Sequence, residues 1–261
     1  MTFAAISYKV KPGSEDEIAE ALASADAERA GSAGPDGALI STALFFHDDT
    51  VVTVVQLGDD PADPADLDGH KYILQTEERL APYVLGERGT MRRIQQRLIA
   101  DRPARQLAAM RHTIKPGSAD AIAEVFANTK PAGGRPGPGG GAPGPGGPGG
   151  GNGAPGGGNG GPGGGNGGPG LIEAVALFVH EQTMVRVVQY NGELADIAAF
   201  MRDWGARSNL ESLLDPYMDE DRHFETPEEF EALWWRHNMR QISMTASADQ
   251  AADPSTAGSS S

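Results

Sequence analysis

The sequence predicts an α+β fold: tandem ferredoxin-like repeats forming a single-chain pseudo-dimeric α+β barrel. Three observations predict it. Residues 43–56, "ALFFHDDTVVTVVQ", return at 176–189 as "ALFVHEQTMVRVVQ". "YKVKPGSEDEIAEAL" from Tyr8 returns as "HTIKPGSADAIAEVF" from His112, and "APYV" from Ala81 returns as "DPYM" from Asp215. Three matches in the same order mark an internal duplication. Finally, both hairpins are apolar on both faces, so a sheet made from them needs cover on each side. A ferredoxin-like sheet has helices on one face only. Two such sheets packed face to face bury the other.

The elements follow in order. Phe3 to Val10 alternates and is rich in branched and aromatic residues, which reads as a strand. "KPGS" is a turn, with Ser14 placed to cap a helix that carries Asp16 and Glu17 in its first turn. Ile18, Ala21, Leu22 and Ala25 give that helix its apolar stripe. Leu39–Phe46 and Thr50–Leu57 are the strands of a hairpin. A helix follows from about Leu67 to Pro82, then a strand from Met91 to Ile99. The second copy predicts a strand at 107–114, a helix at 119–128, a hairpin over 171–190 and a helix over 194–214. A terminal helix near Pro227–Trp235 and a strand Met239–Met244 complete it. The order β-α-β-β-α-β is the ferredoxin-like arrangement.

The halves are residues 1–104 and 105–245. The first match has an offset of 104 and the later two 133 and 134, so one insertion separates the first helix of copy two from its next strand. Residues 130–170 fill it and are almost pure Gly, Pro and Asn. Such a tract has nothing to bury and predicts a disordered loop. Its glycines are no phosphate loop, because the whole tract is glycine. Residues 246–261 read as a disordered tail.

Composition narrows the function. The chain has 261 residues, a formal net charge of −15 and no cysteine. Thiol catalysis, disulfides and cysteine–zinc sites are excluded, and a reducing cytoplasm is the expected location. Nucleic-acid binding needs clustered Lys and Arg, which this charge opposes. No apolar run approaches the roughly 20 residues that span a bilayer, so no membrane contact is expected. An acidic surface repels acidic partners and tolerates a mostly apolar small molecule. No nucleophile elbow, Walker motif, dinucleotide fingerprint or H-E-x-x-H occurs.

The stretch "LLDPYMDEDRHFETPEEFEALWWRHNMRQISM" resembles the end of the SchA/CurD-like proteins. Both halves also resemble the antibiotic biosynthesis monooxygenase superfamily, which uses the dimeric α+β barrel. That resemblance implies aromatic polyketide tailoring in antibiotic or spore-pigment biosynthesis. It implies a cofactor-independent monooxygenase that forms a quinone or hydroxylates a ring, with no metal or flavin. Its partners are then an aromatic polyketide and dioxygen, with an association with synthase components as a further expectation. A polyketide cyclase performing aldol closure and dehydration is the alternative. A non-catalytic polyketide-binding or synthase-associated protein is the third reading.

The two copies differ where chemistry is expected. Thr53 corresponds to Arg186, Tyr8 to His112 and Leu57 to Tyr190. On the second helix His70 corresponds to Trp204, Ile73 to Arg207 and Gln75 to Asn209. Arg186 lies between Val185 and Val187 in a strand expected to be covered on both sides. A charge there needs a partner or a ligand. Glu173 on the neighbouring strand is one partner; a bound phenolate or enolate is the other. By alternation Arg186 shares a face with His180, Met184, Val188 and Tyr190. These residues predict a pocket between sheet and helix. Arg186 holds the anion, Trp204 and Tyr190 bracket it, Arg207 and Asn209 line it, and His112 is the base. His47 and His180 recur at one turn position, which points to a structural role. The Trp234–Trp235 pair reads as a helix anchor.

Overall fold

The computed structural model describes residues 1–29, 39–58, 67, 70–99, 106–128, 171–208, 210–220, 222 and 224–246. The expected disordered loop over 130–170 lies outside the described residues, as do Asn209 and residues 247–261 of the tail expected from 246; Ala246 itself ends a strand. So do the side chains of Trp204 and Arg207.

The first copy contributes β1 (Thr2–Lys9), α1 (Glu15–Arg29), β2 (Leu39–His47), β3 (Thr50–Leu57), α2 (Lys71–Leu80), a two-residue β4 (Gly89–Thr90) and β5 (Arg92–Leu98). The second contributes β6 (Leu107–Thr113), α3 (Ala119–Asn128), β7 (Ile172–His180), β8 (Thr183–Tyr190), α4 (Leu194–Ser208) and α5 (Leu210–Leu214). A 3-10 turn (Asp215–Tyr217), α6 (Pro227–His237) and β9 (Arg240–Ala246) complete it. The Ser14 hydroxyl donates to Lys11 O at 2.6 Å and tightens the turn before α1. One local reading changes. The second helix of copy one begins at Lys71, where His70 Nδ1 accepts from Tyr72 N.

The strands form two antiparallel sheets, in the orders β4-β1-β3-β2-β9 and β5-β7-β8-β6. The fourth strand of each copy therefore sits in the other copy's sheet. Thr90 first pairs with Ile6 of its own β1, and then β5 crosses to β7. Asn238 repeats this by bridging Met110 before β9 crosses to β2. The exchange ties the halves together through main-chain hydrogen bonds.

Alternation assigns every inner strand two buried faces. Phe3, Phe45 and Val54 of one sheet pack against Ala109, Phe178 and Val187 of the other, forming the central layer. The outer face of the first sheet, with Ile6, Leu44 and Val55, is covered by Ile18, Ile73 and Leu80 of α1 and α2. The outer face of the second is covered by α3 to α6. A buried polar seam crosses the central layer near one end. Ser41 Oγ donates to Gln56 Oε1, Gln56 Nε2 to Gln189 Oε1 at 3.3 Å, and Gln189 Nε2 to Glu173 Oε2 at 2.8 Å. Glu173 thus bonds Gln189. On β7 it is Leu177 that stands beside Arg186.

The recurrent histidines staple each hairpin to the opposite copy's connector. His47 Nε2 donates to Arg236 O at 2.6 Å. The His180 ring lies on Gly89, where an added Cβ would come within 2.2 Å of it. Gly89→Ala must push that ring outward, and we expect a loss of about 1–2 kcal/mol. Thermal denaturation checks it; an unchanged Tm would mean the His180 contact contributes nothing.

Candidate active site

Arg186 and His112 arrive on adjacent strands by register alone. β6 and β8 pair so that Met110 faces Arg186 and His112 faces Met184. Val185 and Val187 point into the central layer, so Arg186 points to the helix-covered face. In the first copy the same positions hold Thr53 and Tyr8; Tyr8 packs with Ile18 and Leu80 and also borders a polar cavity of about 330 Å³ with Arg88 and His180.

The second copy has a cavity on its helix-covered face. Its floor is Met110, His112 and Arg186, and its walls are Met201, Arg222 and Phe224. Phe230, Leu233, Trp234 and His237 of α6 form its roof. The enclosed part is about 30 Å³, room for one water, and with its open mouth the space is about 400 Å³. A ring bound here occupies the mouth as well.

Helix α6 exists because of a second insertion. The Pro–Tyr pairs at 82 and 216 lie 134 residues apart, but the Met–Arg pairs at 91 and 239 lie 148 apart, so copy two carries 14 more residues between them. Thr226 and Glu229 make a capping box, with Pro227 at the first helical position. Phe230, Trp234 and His237 recur at i, i+4 and i+7 and are buried. Asn238 and Met239 then clamp the helix end to β6, with Met239 N donating to Ala109 O.

His112 is fixed by a carboxylate. Its Nδ1 donates to Glu220 Oε1 at 2.8 Å. Glu220 Oε2 also accepts from Thr113 N at 3.4 Å. His112 is 5% exposed. Burial chiefly, then Arg222, His237 and Arg186, hold its pKa well below the usual histidine value. It is neutral at pH 7, with its proton on Nδ1 and a lone pair on Nε2. His237 lies beside it, ring centroids 4.7 Å apart. Its Nδ1 donates to Arg111 O at 3.1 Å. Burial lowers the Arg186 pKa to about 10, and burial together with Arg186 lowers that of Arg222 to about 9. Both remain cationic at pH 7. Burial raises the Glu220 pKa, while Thr113 N–H and Arg111 act against it.

His112, Glu220 and His237 offer ligand atoms within 4.8 Å of one another, the one grouping among the described residues that could hold a metal ion. The surroundings oppose a cation. Arg186 and Arg222 act on His112, and Arg111 and Arg236 on Glu220. The arrangement suits an oriented base beside an anion site better.

Tyr190 packs half-buried against the apolar cluster under α4 and is not among the residues that line the cavity. It stands four residues from Arg186, about 13 Å along a strand, too far for one ring to touch both. Burial and Glu193 raise its pKa. Trp234, read as an anchor, lines the cavity. Sequence reasoning missed Glu220, Arg222 and His237. A signal existed for the first two: continuing the "PY" match sets "VLGER" against "MDEDR", placing Glu220 opposite Gly86 and Arg222 opposite Arg88. The histidine and its carboxylate partner are thus both departures of copy two from copy one. In copy one Arg88 is bound by Glu77 at 2.6 Å.

The His237 pKa is pushed down to about 4, by burial first and by Arg222, His47 and Arg236 after it. The unfolded histidine titrates near 6.5, so the unfolded chain takes up this proton first as pH falls. Its contribution is intact above about pH 6.5 and is lost toward pH 4, on the order of 3 kcal/mol. Urea midpoints at pH 7.5 and 4.5 should therefore diverge more in the wild type than in His237→Gln. Equal divergence would refute the assignment.

A family model described as SchA/CurD like domain matches residues 1–98 and 163–247. No curated protein sequence matches the chain. Among solved structures, a candidate monooxygenase from Lactobacillus acidophilus NCFM is 6% identical, with 95% of this chain and 97% of that one covered and a TM-score of 0.45. A candidate monooxygenase from Fusobacterium nucleatum is 8% identical, with 94% and 93% covered and a TM-score of 0.48. An anthrone oxidase-like protein is 6% identical, with 95% and 94% covered and a TM-score of 0.43.

Proposed function

The chain belongs to the SchA/CurD-like domain family, and we propose that it is a cofactor-independent monooxygenase acting on an aromatic polyketide intermediate. Membership supports a polyketide-related enzyme at family level; the reaction is our reading. The observation that carries it is the Glu220–His112 hydrogen bond in a largely apolar cavity that also holds Arg186 and Arg222.

The chemistry runs as follows for an anthrone-type substrate. His112 Nε2 takes the hydroxyl proton of the substrate's enol form, and Glu220 holds the resulting imidazolium. Arg186 and Arg222 stabilise the enolate oxygen. The enolate passes one electron to dioxygen, and the superoxide and carbon radical combine to form a C–O bond. The imidazolium protonates the peroxide, which then loses its terminal OH and the hydrogen of the same carbon as water, leaving a new carbonyl. One substrate and one dioxygen thus give one quinone and one water. Met201, Phe224, Phe230 and Trp234 keep bulk water from the intermediates.

The same base and cations suit an aldol closure, which takes up no dioxygen. Dioxygen consumption with an anthrone or naphthol, after chelator treatment and without added flavin, separates the two. Uptake above the enzyme-free rate supports oxygenation. Cyclisation of a linear polyketide without uptake overturns it in favour of the cyclase.

A further inference from the structure

The α6 side of the cavity holds two buried polar atoms that the reaction above does not use. His237 is 7% exposed and lines the cavity. Its Nδ1–H is committed to Arg111 O, and its Nε2 is buried without a hydrogen-bond partner. Trp234 is 5% exposed, lines the same cavity, and its Nε1–H is likewise buried without a partner. A buried polar atom left unsatisfied costs about 1–3 kcal/mol, so two on one wall call for an occupant: a water in the free protein, and ligand groups that replace it in the complex.

Their chemistry specifies it. Glu220 and Arg111 O fix both imidazoles in the same tautomer, with Nδ1 protonated and Nε2 an acceptor. Two neighbouring acceptors in one cavity match two hydroxyl groups. The indole N–H matches an oxygen acceptor beside them. A divalent cation would also satisfy two imidazoles, but Arg186 and Arg222 line the same small space.

We propose that His237 is a specificity-determining residue: its Nε2 accepts a second hydroxyl of the substrate, next to the one facing His112, while Trp234 Nε1–H donates to a substrate oxygen. The ligand is then an aromatic bearing two hydroxyls on one edge. This rests on reading the cavity as the site of a hydroxylated aromatic, not on the fate of dioxygen.

The test is anaerobic binding under argon, so chemistry does not enter. The probes are 1,8-dihydroxynaphthalene and 1-naphthol, which differ by one hydroxyl. The wild type should bind the diol about tenfold more tightly, and His237→Phe should bring the two affinities to within a factor of about two. An unchanged ratio in His237→Phe overturns the proposal. So does stoichiometric zinc or ferrous ion binding that needs His237 and excludes the diol. If His237→Phe does not fold, imidazole nitrogen shifts of the wild type decide: the diol should move the His237 Nε2 signal and 1-naphthol should not. A protein that discriminates the diol yet consumes no dioxygen would sink the oxygenase reading and leave this one standing.

Discussion

Arg186→Met is expected to lower kcat by about 10²–10³-fold, in line with the loss of one preorganised group that stabilises a developing oxyanion. Methionine keeps most of the volume and removes the charge. Arg186 is 5% exposed, and removing one buried charge can leave its neighbours unpaired, so folding is checked in the same variant. A fall in turnover with little change in Tm therefore isolates the electrostatic role. Dioxygen uptake measures the first and thermal denaturation the second. If turnover survives, Arg186 serves the fold alone. If the variant is folded and inert, the reading of the chain as a passive polyketide carrier is excluded as well.

The second large effect concerns the base. His112→Gln should cost about 10²–10⁴-fold in kcat/KM, the usual contribution of a positioned proton acceptor. Glu220→Gln tests the positioning residue separately. It preserves shape but removes the charge that supports the imidazolium. We expect a smaller loss, and the acid limb of kcat/KM moving to lower pH, because His112 becomes harder to protonate. In the wild type that limb already lies below the ordinary histidine value, since burial depresses the His112 pKa. A plateau that falls while the limb stays in place would assign Glu220 a packing role only.

Much of this was legible in the chain. The repeats, the strand and helix order, and the face on which Arg186 stands all follow from local pattern. Alternation along "TMVRVVQ" sends Val185 and Val187 one way and Arg186 the other, whatever lies beyond. The Arg186 and His112 substitutions stand out because the duplication supplies its own reference copy. Other parts were not legible. Tyr190 shares a face with Arg186, yet same-face residues stand about 6.6 Å apart per step along a strand, and a face is not a pocket. The strand exchange is invisible locally, because β5 carries the same pattern whichever sheet it joins.

The sequence by itself determined that two copies of one unit exist, that their sheets bury both faces, and that the second copy alone places a cation and a histidine on its outer face. These are consequences of side-chain period and of comparison between copies, and neither needs a neighbour. Only the tertiary structure decided that Glu220 meets His112, that α6 roofs the cavity, and that His237 and Trp234 face into it. Those contacts join residues far apart in the chain, such as His112 and Glu220 at 108 positions. The roof depends on how a 14-residue insertion packs against a strand, and the Glu220 contact on how the segment before that insertion folds back; spacing along the chain encodes neither.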